Sequence, residues 1–70
     1  MDLTSVQHII SQLQQNTAGA DAVRELTLGV YGGYAENEEF HTALGISIGT
    51  TTLTVTNAAG QNWTITLEFN

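Results

Sequence analysis

From Leu3 to Leu13 the apolar residues fall three and four apart, and after Ala20 they fall two apart. In 70 residues that single change of period leaves room for one helix and the few strands it can cover. Leu3, Val6, Ile9, Ile10 and Leu13 line one helical face, with Gln7, Ser11, Gln14 and Gln15 opposite. Either Asp2 as N-cap or Thr4 with Gln7 in a capping box starts this helix. Its end falls in Asn16-Thr17-Ala18-Gly19, where Asn16 or Gly19 can adopt a left-handed C-cap, so a helix is predicted over about 2–16.

Period-two alternation then predicts strands over about 24–31, 40–48, 51–57 and 61–69. Their apolar sets are Leu26, Leu28 and Val30; Leu44, Ile46 and Ile48; Leu53 and Val55; and Trp63, Ile65, Leu67 and Phe69. Apolar positions are even before Gly49 and odd after it, and a two-residue type II′ turn at Gly49-Thr50 reconciles them on one face. That turn sets Ile48 opposite Thr51, Ile46 opposite Leu53 and Leu44 opposite Val55. In the next connection, Ala58-Ala59-Gly60 fits the three-residue hairpin whose last residue is left-handed, with Val55 opposite Trp63 and Leu53 opposite Ile65.

One apolar helix stripe and one apolar sheet face call for two layers. The predicted fold is therefore α+β: an N-terminal helix on a four-stranded antiparallel meander, one domain spanning 1–70. Thr27, His41, Ser47, Thr52, Thr54, Thr56, Thr64, Thr66 and Glu68 are assigned to the opposite, wet sheet face. Threonine is favoured in strands and tolerates water, so this field reads as ordinary strand design. The spacing lacks the long regular repeat of threonine-rich ice-binding surfaces.

Charge narrows the partners. Arg24 is the only Lys or Arg, against seven Asp and Glu, for a formal net charge of -6. A nucleic-acid binder neutralises phosphates with cations, and one cation is too few, so direct DNA or RNA binding is not expected. Anionic membrane surfaces are disfavoured for the same reason, and a basic protein surface is the electrostatically favoured partner. No stretch approaches the roughly 20 apolar residues of a membrane span, and the N-terminus lacks the basic and apolar regions of a signal peptide, so a cytoplasmic protein is expected.

Motifs for chemistry are weak. There is no Cys, and His8 and His41 lie far apart in sequence, which excludes the common thiolate zinc sites and any short histidine pair. Ser5, Ser11 or Ser47 with either histidine is an arrangement most chains offer. Glu36 to Glu39 lack EF-hand spacing, and Gly29, Gly32 and Gly33 are followed by no phosphate-binding lysine. Asn62-Trp63-Thr64 has the form of a glycosylation acceptor but reads as strand sequence. Neither an enzyme nor a cofactor is expected.

The segment Gly32 to Phe40 stands out: it is long for a meander loop and concentrates glutamates and aromatics. Tyr31, Tyr34, Glu36, Glu38, Glu39 and Phe40 are the candidate partner-binding residues, the aromatics supplying area and the glutamates charge. The alternative is a solvated loop whose aromatics fold back to cover a sheet edge. The sequence reading is a small acidic protein-interaction module that occupies a basic surface on a larger partner. Its most concrete form is an inhibitor of phage or mobile-element type, anti-CRISPR-like in character, and the competing form is an assembly protein that oligomerises through a sheet edge. The terminal strand Asn62 to Phe69, guarded only by Glu68, is the expected edge for a homodimer.

Overall fold

The computed structural model describes residues 1–17 and 24–69. Helix α1 spans Leu3–Gln15, close to the expected bounds. Asp2 is its N-cap: the carboxylate Oδ1 accepts from the Ser5 N–H at 2.8 Å, so the capping box at Thr4 is not used. At the other end Asn16 is extended (φ -68°, ψ 124°) rather than left-handed, and the Gly19 alternative lies outside the described residues. Val6 is fully buried, and Leu3, Ile9, Ile10 and Leu13 pack around it against the sheet.

Among the described residues the sheet has three strands: β1 (Glu25–Val30), β2 (Thr52–Thr56) and β3 (Asn62–Phe69), in the order β1-β3-β2. It is mixed: β3 runs antiparallel to β2 and parallel to β1. This overturns the four-stranded antiparallel meander. It also removes the terminal strand from the edge, because β3 is hydrogen-bonded on both sides. The longest strand, with Trp63, Ile65 and Leu67 all buried, has its backbone satisfied by two neighbours, which leaves only shorter strands at the margins. An antiparallel path would have left that apolar strand open.

The β2–β3 hairpin follows the expected register, with Leu53 opposite Ile65 and Val55 opposite Trp63. Gly60 is left-handed (φ 81°), the Asn57 N–H donates to Gln61 O at 2.8 Å, and the buried Asn57 side chain accepts from the Ala59 and Gln61 N–H groups. Asn57 therefore organises the turn from inside it.

The expected second strand over about 40–48 does not exist; helix α2 (Glu38–Leu44) occupies its place. Asn37 caps it through Oδ1, which accepts from the Phe40 N–H at 3.0 Å. Gly45 (φ 71°) closes it, with the Gly45 N–H on Thr42 O and the Ile46 N–H on His41 O. That pair of reversed bonds is a Schellman ending, which a residue with a Cβ adopts only at a cost. Gly49 (φ 85°) does make a turn, with the Thr50 N–H on Ser47 O, but the turn leads into β2 rather than linking two paired strands.

Both helices pack on the apolar sheet face, over Leu28, Val30, Val55, Ile65 and Leu67. The other face bears Thr27, Thr52, Thr54, Thr56, Thr64, Thr66 and Glu68. His41 does not belong there: it is 1% exposed, inside the core. Ser47 is exposed in the connection between α2 and β2.

Candidate functional site

The segment from Tyr31 to Leu44 is built as a turn feeding a short helix. Gly33 takes the left-handed conformation (φ 90°), which lets the chain reverse after β1, and Tyr34–Glu36 make a single 3-10 turn. Glu38 and Glu39 fall in the first turn of α2, where exposed N–H groups and the helix dipole favour carboxylates. Their position is thus locally stabilised before any partner is considered.

One carbonyl ties this region together. Ala35 O accepts the His41 Nε2–H at 2.9 Å and the Gly49 N–H at 3.0 Å. The 3-10 turn, α2 and the connection leading to β2 are thereby joined at a single atom. A carbonyl only accepts, so Nε2 carries the proton in this bond, and Nδ1 has no hydrogen-bond partner among the described residues. Trp63 Nε1 is likewise buried and unpartnered among them.

The six candidate residues divide into two groups. Phe40 is 2% exposed and sits in the core. Tyr34 stacks on it with ring centroids 4.8 Å apart and planes 10° apart, and Phe69 meets its edge at 6.1 Å. Tyr34 is half-buried by this packing. These two rings therefore belong to the packing of the core.

Tyr31, Glu36, Glu38 and Glu39 face solvent, Tyr31 with 65% of its surface exposed. Ile48, missed by the sequence reading, is also exposed, at 58%, one residue before the Gly49 N–H that bonds to the 3-10 turn. Its apolar character and place in an alternating run disguised it as a core strand residue. Asn37, Glu38, Glu39, Thr42 and Ala43 line a shallow, open depression of about 600 Å³ on the outer side of α2. Among the described residues no ion pair engages Glu36, Glu38 or Glu39, and the single arginine, Arg24, lies at the opposite end of β1.

No group of three or more His, Asp or Glu among the described residues is arranged to hold a metal ion. His8 is exposed on α1 and His41 is enclosed by rings, so the two imidazoles do not share a site. Among the described residues no helix is long and apolar enough to cross a membrane. No protein-family model matches the chain, and no match was found to a curated protein or to a solved structure.

Proposed function

We propose that this chain is a small, acidic, non-enzymatic interaction module that works in the cytoplasm by occupying a basic surface on a larger protein, without binding nucleic acid itself. The observation that carries the reading is the exposure of Glu36, Glu38 and Glu39, together with that of the Tyr31 ring and the Ile48 side chain. Carboxylates held by a turn and a helix start, without cationic neighbours, keep their full field for a partner. Tyr31 and Ile48 supply the apolar contact area that charge alone lacks. Phe40 and Tyr34 serve this surface indirectly, as the packing that fixes α2. In its most specific form the module is an inhibitor of phage or mobile-element type, which blocks a basic site by covering it.

The test is capture of basic proteins from lysate at about 50 and 500 mM salt, comparing wild type with the triple variant Glu36→Gln, Glu38→Gln, Glu39→Gln. The wild type is expected to retain a partner at low salt and release it at high salt. The variant is expected to bind at least tenfold more weakly while melting no lower. Equal capture by both chains would refute the reading.

A further inference from the structure

A groove of about 490 Å³ is lined by β2, by Ile10 and Gln14 of α1 and by Leu44, Gly45 and Ile46. Its floor is the strand itself, Thr52 to Thr56. The Asn57 N–H donates to Gln61 O and the Leu67 N–H to Thr51 O, so odd-numbered residues of β2 turn their backbone groups toward β3. By the alternation of an antiparallel ladder, Thr52, Thr54 and Thr56 point theirs outward. Among the described residues no strand pairs with that edge.

We propose that this edge pairs antiparallel with β2 of a second copy of the chain, about a two-fold axis at Thr54. The run Thr-Leu-Thr-Val-Thr has the same polarity read in either direction, so the axis sets Thr54 beside its own copy, Thr52 beside Thr56, and Leu53 beside Val55. Each outward threonine then donates and accepts one backbone hydrogen bond. Leu53 of each copy meets the other's groove on the apolar face, near Ile10, Leu44 and Ile46, and all four are half-buried in the single chain. Such self-complementarity is what an isologous interface requires.

Charge selects the occupant. No charged side chain lines the groove, although the chain carries a net -6, so a basic peptide finds no carboxylate there while an uncharged strand finds no mismatch. The other edge of the described sheet is different: by the Thr64 N–H to Arg24 O bond, β1 turns Glu25, Thr27 and Gly29 outward, an edge guarded by a carboxylate. Five paired residues a side lie at the small end of interfaces, below about 1,200 Å², so the dimer forms and dissociates with concentration. The pairing is independent of the acidic surface on α2, and either can fail without the other.

The chain has no cysteine, which allows a clean trap. Residues facing each other in a hydrogen-bonded antiparallel pair have Cα atoms about 5.5 Å apart, within disulfide reach. Mild oxidation of Thr54→Cys is expected to give covalent dimer at least tenfold faster than oxidation of Thr27→Cys on the guarded edge. Sedimentation of the wild type is expected to show mass rising from monomer toward dimer up to about 1 mM, and Thr54→Pro, which removes only an outward N–H, is expected to stay monomeric. If Thr54→Pro does not fold, Thr54→Glu, which sets two carboxylates together at the axis, takes its place. A wild type that stays monomeric throughout, or equal trapping at both edges, overturns the proposal; a monomer that captures only a foreign strand at β2 overturns it as well.

Discussion

Asp2 and Asn57 each hold one end of an element through a side-chain acceptor, and they differ in exposure. The hydrogen bond from the Ser5 N–H holds the Asp2 carboxyl below its ordinary 3.8. A lowered folded-state value means that the unfolded chain binds the proton more readily, so the cap stabilises fully above 3.8 and is lost as pH falls through the lowered value. Asp2→Ala is therefore expected to melt below the wild type by a margin that is constant above about pH 5 and shrinks below 3.8. Thermal scans between about pH 2.5 and 7 check it, and a margin that grows toward acid would contradict the cap's role. Asn57 is 5% exposed and accepts two backbone N–H groups, so removing it leaves two part-buried donors without this partner. Asn57→Ala is expected to cost about 1–3 kcal/mol in urea unfolding, and a neutral result would mean that water satisfies those groups.

At the scale of the element, α2 decides the difference between the expected fold and the observed one. Its punctuation is complete in the sequence: Asn37 as cap, Glu38 and Glu39 in the first turn, His41 near the end, Gly45 to close. Those signals competed with Leu44, Ile46 and Ile48, whose alternation mimics a strand. The helix wins because it buries Phe40 at 2% exposure between Tyr34 and Phe69, which one face of a strand over the same residues could not do while also burying the adjacent His41. Phe40→Ala is expected to cost about 3–5 kcal/mol. In a domain this small that approaches the whole stability, so circular dichroism at 25 °C should show largely unfolded chain, whereas Phe40→Leu should remain folded. A folded, cooperative Phe40→Ala would show that α2 is held elsewhere.

For the whole molecule, charge is the dominant fact. With a net -6 and one arginine, carboxylates repel more than they attract, and compacting the chain brings them together. Salt screens that repulsion over about 10 Å at 0.1 M. The melting temperature is expected to rise between about 10 and 200 mM NaCl; a fall would mean that favourable ion pairs outweigh repulsion. In the proposed modes of action the same imbalance directs Glu36, Glu38 and Glu39 to a cationic partner and leaves the uncharged edge of β2 for a second copy.

The sequence alone determined what depends on neighbours in the chain: α1 with its apolar stripe, the β2–β3 hairpin and its register, and an apolar face opposite a threonine face. Each rests on local periodicity or a short turn, and no distant residue overrules it. Tertiary structure decided the rest: that β3 enters between β1 and β2, that Leu44 closes a helix rather than opening a strand, and that Phe40 and Tyr34 face inward while the glutamates between them face out. Strand order depends on which edge is left open to water, and that cost is set by the assembled sheet rather than by any segment of it.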